Sequence, residues 1–199
     1  MDEQTIKSQV KERYGAIASQ GGCGCTPSCC SPDSETVVSL VDYQAADLLP
    51  LAESDLGLGC GTPTRYAALQ PGEVVLDLGS GAGIDVFLAA RQVGQDGRVI
   101  GVDMTPAMIE RARNNAARAG VQNVEFRLGE IERLPVESDS VDVVLSNCVI
   151  NLVPDKTAAF TEIMRVLKPG GRFIISDMVT TGEVPEALRQ DLILWAGCI

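Results

Sequence analysis

The sequence contains no histidine, and this absence excludes several catalytic classes at once. Without an imidazole there is no histidine general base, no histidine metal ligand and no Ser-His or Cys-His catalytic pair. Aromatic residues are also scarce, at 4% of the 199 residues, so the core has to be built from aliphatic side chains. We therefore expect a reaction that does not depend on histidine.

Positive charge is in short supply as well. The chain has 16 basic and 27 acidic residues, which gives a formal net charge of −11. Such an acidic chain is poorly suited to nucleic acid, to anionic lipid or to a phosphorylated substrate. No stretch is apolar and long enough to span a membrane, and the first residues show no signal-peptide pattern. We predict a cytoplasmic protein that binds neither nucleic acid nor membranes.

A glycine-rich turn follows a short apolar run near the middle of the chain. Residues 74–77, Val-Val-Leu-Asp, predict a buried parallel strand, and a helical pattern starts at Ile84. Glycines at alternate positions of the turn let a ligand approach the backbone at the N-terminus of that helix. The nicotinamide fingerprint would need a glycine in place of Ile84. The turn and the acid before it supply these candidate ligand-binding residues: Asp77, Gly79, Ser80, Gly81 and Gly83.

A second predicted strand, residues 98–103, ends in an acid 20 positions after the last glycine of the turn. At this position the Asp103 carboxylate can accept hydrogen bonds from both hydroxyls of a ribose. The alternative is that Asp103 merely caps the next helix, but Thr105 and Pro106 already form a good N-cap and first-turn pair. The order of strand, turn, helix and acid therefore indicates a nucleotide site.

The rest of the chain alternates between strand and helix patterns. We predict a doubly wound, mostly parallel α/β sheet over residues 71–199, preceded by a helical, thiol-rich extension over residues 1–70. Strands are predicted at 124–128, 141–146 and 172–177, and helices at 1–20, 63–69, 106–119 and 185–195. A further helix is predicted to begin at an Asp155 cap and to bury Phe160, Ile163 and Leu167. Ligands of such sheets lie beyond the C-terminal strand ends. The side chains expected to converge there are Asp77, Asp103, Glu130 and Cys148.

Seven cysteines are an unusually high count for such a chain. Residues 21–32 form a breaker-rich segment, which is consistent with incidental thiols in a loop, with capture of a soft metal or metalloid, or with a reversible disulfide. A second glycine motif at residues 55–61 lacks a strand before it, so we do not expect a second cofactor site there. It places Cys60 before a predicted helix, where a thiolate is favoured. The cysteines of the breaker-rich segment are Cys23, Cys25, Cys29 and Cys30.

The Asp77 turn resembles the D-x-G-x-G-x-G motif of the class I S-adenosylmethionine-dependent methyltransferases. Three further segments, together with Tyr14-Gly15, make the whole chain similar to the arsenite methyltransferases. These segments are Gly-Cys60-Gly-x-Pro, Asn147-Cys148-Val-Ile-Asn-Leu152 and Trp195-Ala-Gly-Cys198. Leu58 and Thr62 depart from the pattern, since relatives often have an aromatic residue and Asn there. The resemblance also implies two more strands and a C-terminal region beyond Ile199.

The resemblance implies a Rossmann-like fold and transfer of methyl groups from S-adenosylmethionine to trivalent arsenic, leaving S-adenosylhomocysteine. Cys60, Cys148 and Cys198 correspond to the family's arsenic-binding thiols, and either Cys29 or Cys30 to a further redox cysteine. A thiol reductant, thioredoxin or glutathione, would supply electrons between rounds. At the donor, Glu130 and Ile131 are placed to meet the adenine. Further donor contacts are expected from Met104, which is otherwise a core residue, and from Asn147, which would face the methyl group with Cys148.

The chemistry of arsenic agrees with this hypothesis. Trivalent arsenic is thiophilic, and its lone pair can attack a sulfonium methyl without loss of a proton, so no histidine is needed. A single cysteine taken alone is better explained as a buried structural thiol, whereas three at these positions favour a functional site. Two other functions remain open: a small-molecule C- or O-methyltransferase of the quinone-biosynthesis type, and a non-catalytic, thiol-rich metalloid-binding protein.

Overall fold

Parallel strands form a sheet at the centre of the protein, in the order β3-β2-β1-β4-β5. The computed structural model describes residues 2–20, 54–185 and 191–197. The strands are β1 (Val74–Leu78), β2 (Arg98–Asp103), β3 (Val124–Leu128), β4 (Val141–Asn147) and β5 (Leu167–Ser176). The strand order reverses between β1 and β4, which is where open parallel sheets bind their ligands.

Helices connect these strands and cover both faces of the sheet. In chain order they are α1 (Glu3–Gln20), α2 (Pro63–Tyr66), α3 (Ile84–Val93), α4 (Pro106–Ala119), α5 (Lys156–Val166) and α6 (Leu192–Ala196), with a short 3-10 helix at Ile150–Leu152. Helices α3 and α4 pack on one face of the sheet and α5 packs on the other. This arrangement confirms the predicted doubly wound α/β architecture.

Neighbouring residues of each central strand face opposite sides of the sheet and so build two cores. Val75 and Val143 pack beneath α3 and α4, whereas Leu76 and Val144 pack beneath α5. All four side chains are 0% exposed. Because side chains alternate along a strand, a continuous aliphatic run is what a sheet covered on both faces requires. Val, Leu, Ile and Ala thus form most of the two cores in place of aromatic residues.

Several predicted boundaries differ from the structure. Strand β5 starts at Leu167 rather than at 172, since Leu167 already pairs with Val141 before an irregularity in the register. Helix α2 ends at Tyr66 rather than at 69. The prediction that Phe160 is buried is wrong, because Phe160 is 38% exposed. The buried face of α5 consists of Ala159, Ile163 and Val166.

The predicted amphipathic N-terminal helix is present as α1. Its apolar stripe, Ile6, Val10 and Ile17, is at most 5% exposed. The first part of the stripe packs against Leu152 and α6, and the last part packs against Met108 of α4. Helix α1 therefore lies beside the C-terminal ends of the strands, where ligands of this architecture bind.

Some predicted features lie outside the described residues. These are the breaker-rich segment at 21–32 with its four cysteines, residues 186–190 of the predicted last helix, and Cys198. None of the described helices is long and apolar enough to cross a membrane.

Candidate active site

A cavity lies beyond the C-terminal ends of β1, β2 and β4 and is partly covered by α1. Helix α1 contributes Lys7, Val10 and Tyr14 to its walls. Most of the residues predicted to bind a cofactor also line it: Asp77, Gly79, Ser80, Gly81, Asp103, Met104, Ile131 and Asn147. The structure therefore brings most of the predicted cofactor residues to one cavity, and their contact with a cofactor stays a prediction.

The glycine turn needs its glycines for two different reasons. Gly79 has a φ of +65°, and a Cβ atom there would lie 2.5 Å from Cγ2 of Val149. Gly83 has a φ of +100° at the N-cap of α3 and packs against Phe87, so it supports the turn and is not part of the cavity wall. A side chain at either position would meet both backbone strain and a steric clash.

Asp103 ties the glycine turn to the start of α4. Its carboxylate accepts hydrogen bonds from the Gly81 N–H (3.0 Å) and from the Thr105 N–H (2.8 Å). Burial raises the pKa of Asp103, and the two N–H bonds oppose that rise. Thr105 occupies the N-cap as predicted but makes no side-chain capping bond of its own. The Thr105 side chain gives a third bond, so Asp103 has a local structural role, while its carboxylate still has lone-pair capacity for a ligand.

Three carboxylates gather at the base of the cavity, where Asp85 joins Asp77 and Asp103. Burial raises the pKa of Asp77 well above its usual value, and repulsion from Asp85 and Asp103 raises it further. A cationic ligand would relieve this repulsion. The sequence reasoning missed Asp85; the available signal was an acid in the first turn of the helix after the glycine turn.

The structure does not turn the Glu130 carboxylate toward the cavity. Its oxygens are bound by Lys7 (2.8 Å) and Lys11 (2.9 Å) of α1, and these hydrogen bonds lower the pKa of Glu130. Glu132 lines the cavity instead, and Lys7 lies 3.0 Å from its carboxylate. Each Glu130 oxygen thus already accepts a bond from α1, and contact of Glu130 with an adenine stays a prediction.

The two predicted arsenic ligands within the described residues are brought together. Cys60 and Cys148 form a disulfide, with Cα atoms 5.7 Å apart. In this oxidised state neither sulfur is a free thiolate, and a favoured thiolate at Cys60 stays a prediction for the reduced protein. Cys148 lines the cavity and has a φ of +55°, a conformation that is uncommon outside glycine and is concentrated at functional sites. Its N–H donates to the carbonyl of Ser176 at the end of β5 (2.8 Å).

The segment that carries Cys60 packs closely on the ends of β4 and β5. A Cβ atom at Gly59 would lie 2.8 Å from Nδ2 of Asn147, and one at Gly61 would overlap Oγ of Ser176. The second glycine motif therefore has a packing role that the sequence reasoning did not identify. Its glycines let this segment approach the sheet closely enough for Cys60 to reach Cys148.

Asn147 makes four hydrogen bonds at this junction. Its Oδ1 accepts from the N–H groups of Cys60 (3.1 Å) and Gly61 (3.2 Å). Its Nδ2 donates to the Gly61 carbonyl (2.8 Å) and to the Asp85 carboxylate (2.9 Å). Although Asn147 lines the cavity as predicted, its amide already has partners in the protein.

Asp177 is a further residue that the sequence reasoning did not single out. One of its carboxylate oxygens and the sulfur atoms of Cys60 and Cys148 all lie within 4.8 Å of one another. The carboxylate also accepts hydrogen bonds from the N–H groups of Asn151 (3.1 Å) and Met178 (2.8 Å). The available signal was an acid at the end of a predicted strand.

Comparison with known proteins supports the same fold. A family model described as a methyltransferase domain matches residues 69–199. The chain is 50% identical over 209 residues to an arsenite methyltransferase from Halobacterium salinarum, covering 100% of this chain and 54% of that protein. It is 43% identical over 152 residues to an arsenite methyltransferase from Mus musculus, covering 71% of this chain and 39% of that protein.

A solved structure is also similar, that of an arsenic(III) S-adenosylmethionine methyltransferase from Chlamydomonas reinhardtii. It matches with a TM-score of 0.66 and 40% identity, over 79% of this chain and 53% of that one. The chain thus spans about half the length of the Halobacterium and Chlamydomonas relatives. These findings confirm the class I methyltransferase fold and the predicted resemblance to arsenite methyltransferases.

Proposed function

The chain belongs to the methyltransferase domain family, and on that premise we propose that it transfers a methyl group from S-adenosylmethionine to thiolate-bound trivalent arsenic. The observation that carries the proposal is the position of the cysteine pair. Cys148, bonded to Cys60, lines the same cavity as Asp77 and the glycine turn. A site for a soft, thiophilic centre therefore adjoins a site suited to a cationic nucleotide.

The donor half of the cavity fits S-adenosylmethionine in charge and in shape. When bound, this cosubstrate supplies an electrophilic methyl group on a sulfonium. Asp77 and Asp85 provide buried negative charge for its cationic end, and Asp103 keeps lone pairs for the ribose hydroxyls. The open backbone of the Gly79–Gly83 turn allows close approach at the start of α3.

The acceptor half works only after the Cys60–Cys148 disulfide has been reduced. Two electrons and two protons from a dithiol, or from two molecules of a monothiol, convert the disulfide into two thiols. The thiols then replace two hydroxyl groups of arsenous acid and release two molecules of water. We propose thioredoxin or glutathione as the reductant and Cys198 as a third thiolate. The protein then holds arsenic in line with the methyl group and shields both from water.

This function is tested by incubating the reduced protein with S-adenosylmethionine and arsenite and then separating the arsenic species. Methylated arsenic and S-adenosylhomocysteine should form together, and neither should form with Cys60→Ser. Turnover of a demethylated quinone without methylated arsenic would favour the small-molecule methyltransferase instead. Arsenite binding without S-adenosylmethionine binding would favour the non-catalytic metalloid-binding protein.

A further inference from the structure

We propose that Asn147 is a positioning residue that holds Cys60 against Cys148, and that Asp85 fixes the orientation of its amide. The inference deepens the proposed function, on which it rests only for the use of the thiol pair. It assigns Asn147 to the acceptor half of the site as well as to the cavity wall. It also links the helix that follows the glycine turn to the cysteine pair.

The Cys60 segment is held to the sheet by hydrogen bonds to a side chain. Residues 58–61 belong to no helix or strand, so ladder bonds do not fix their position. Two consecutive N–H groups, those of Cys60 and Gly61, instead converge on Oδ1 of Asn147. An amide oxygen has two lone pairs and can accept both bonds. The same amide returns a bond to the Gly61 carbonyl, so Asn147 holds both polar edges of this peptide segment.

Asp85 determines which end of the Asn147 amide faces Cys60. A carboxylate is only an acceptor, so it selects the NH₂ group of the amide as its neighbour. The Asp85 side chain is 4% exposed and lies 2.9 Å from Nδ2 of Asn147. If the amide were reversed, its oxygen would face both the Asp85 carboxylate and the Gly61 carbonyl, while the two N–H groups would lose their acceptor. The Asp85 bond therefore stabilises the orientation that holds Cys60.

The position of Cys60 matters because two thiols capture trivalent arsenic together only when both are held near it. Holding reacting groups in place raises their effective concentration, and small displacements reduce it strongly. Cys148 is held by a central strand, whereas Cys60 depends on the Asn147 contact. Loss of that contact should lower the tendency of Cys60 to pair with Cys148, even in a protein that stays folded.

The test compares Asn147→Ala with Asn123→Ala as a matched control. Asn123 also uses its amide to bind backbone carbonyls, those of Ala90 and Gly94, but far from the cysteines. The readout is the equilibrium between the Cys60–Cys148 disulfide and glutathione, measured on the folded full chain by mass spectrometry of the linked peptides. We expect Asn147→Ala to lower this equilibrium constant about tenfold or more, as the loss of several hydrogen bonds implies, and Asn123→Ala to leave it nearly unchanged.

A second test exchanges the carboxylate and the amide between positions 85 and 147, so that no side chain is shortened to alanine. Asn147→Asp keeps an acceptor for the two N–H groups but places a carboxylate against Asp85, so it should weaken Cys60–Cys148 pairing. Asp85→Asn should weaken pairing as well, because the amide at Asn147 loses its orienting partner. In the double variant N147D/D85N, the amide now at position 85 can donate a hydrogen bond to the carboxylate now at position 147. Part of the Cys60–Cys148 pairing should therefore be recovered.

Capture of phenylarsine oxide, a probe that needs two neighbouring thiols, serves as an independent readout. With Cys23, Cys25, Cys29, Cys30 and Cys198 replaced by serine in both proteins, the reduced chain that keeps Asn147 should bind one equivalent through Cys60 and Cys148, and its Asn147→Ala variant should bind it about tenfold more weakly. Equal pairing and equal capture by wild type and Asn147→Ala would overturn the inference. Failure of the wild type itself to methylate arsenic, with pairing still sensitive to Asn147, would instead count against the proposed function.

Discussion

Cys60 and Cys148 are separated by 88 residues in the chain, yet their Cα atoms lie 5.7 Å apart and their sulfur atoms are bonded. One cysteine comes from a glycine-rich segment before the sheet, and the other directly follows its central strand β4. Their bond blocks both sulfur atoms as ligands, so the redox state of this pair controls access to the acceptor site.

Arsenite binding should require reduction of this disulfide and both of its cysteines. In a chain whose Cys23, Cys25, Cys29 and Cys30 are replaced by serine, Cys60→Ser and Cys148→Ser should each abolish tight arsenite binding, because serine is a harder ligand with a much higher pKa. Affinity for S-adenosylmethionine should change little in either variant. Cys198→Ser should weaken arsenite binding less, because this residue follows the C-terminal end of α6, where the helix dipole disfavours a thiolate. Calorimetric titration of the reduced variants measures all three, and tight binding by either of the first two would remove that residue from the site.

A methyl group at Gly61 should prevent Cys60 from reaching Cys148. The added Cβ would lie 2.9 Å from Cβ of Ser176 and overlap its Oγ, so the segment must move away from β5. Gly61→Ala should therefore lose the disulfide and arsenite binding, and Ser176→Gly in the same chain should restore both. Gly57→Ala is the control, since a Cβ there has open space and only backbone strain, which costs about 1 kcal/mol. Thiol titration and arsenite calorimetry provide the comparison.

Asp103→Ala should weaken S-adenosylmethionine binding by about 1–3 kcal/mol, the value of charge-assisted hydrogen bonds to the ribose. It should also lower the melting temperature, because the N–H groups of Gly81 and Thr105 lose their acceptor. Arsenite binding without the cosubstrate should change little. Asp96→Ala, at an exposed turn, serves as the control for loss of one negative charge. A parallel loss of both ligands would show that Asp103 acts mainly through the fold.

Asp77→Asn should stabilise the ligand-free protein at neutral pH while removing its affinity for S-adenosylmethionine. Burial and the neighbouring acids raise the pKa of Asp77, so the folded state favours the protonated carboxyl. The stability that this proton provides is present below about pH 4, the ordinary pKa of an aspartate in the unfolded chain. It is lost as the pH rises through the raised pKa of the folded protein.

Denaturant unfolding of the free protein from pH 4 to 8 measures this effect. The curve for Asp77→Asn should fall less steeply than that of the wild type. Asp142→Asn should instead lower stability by a nearly constant amount over this range: despite partial burial, the bond from Lys168 lowers the pKa of Asp142, so its charge stabilises the fold and that stability is lost only below about pH 4. Identical pH profiles for Asp77→Asn and wild type would contradict the assignment of Asp77 as a strained, buried acid.

The contact of α1 with Glu130 and Glu132 should help retain the cosubstrate. Lys7→Met removes ion pairs to both acids, of which Glu132 lines the cavity, and the Lys7 side chain is only 13% exposed. We expect S-adenosylmethionine to dissociate a few-fold faster, an effect of about 1 kcal/mol, whereas Lys11→Met should matter less because its charge is more exposed. Lys168→Met, which breaks a pair with Asp142 at the opposite end of the sheet, is the control. Stopped-flow displacement at low and high salt gives the rates, and equal rates for Lys7→Met and Lys168→Met would exclude this role for α1.

Local patterns in the chain were sufficient to predict the elements that carry the site. Strand β2, strand β3 and helix α4 have the predicted bounds, and Gly120 ends α4 with a positive φ. These features depend on neighbours within a few residues, through alternation, helical spacing and capping. The convergence of Asp77, Asp103 and Cys148 on one cavity followed from a general property of parallel sheets.

The sequence by itself thus determined the sheet, the glycine turn and the acids at the strand ends, whereas only the tertiary structure decided which partner each polar group takes. Glu130 binds lysines more than a hundred residues earlier, and Asn147 binds the backbone of Cys60, 87 residues away. The Phe160 error has the same origin, since its exposure depends on which helix face meets the sheet. Such contacts are set by how the elements pack in space, and the spacing of residues along the chain carries no direct record of that packing.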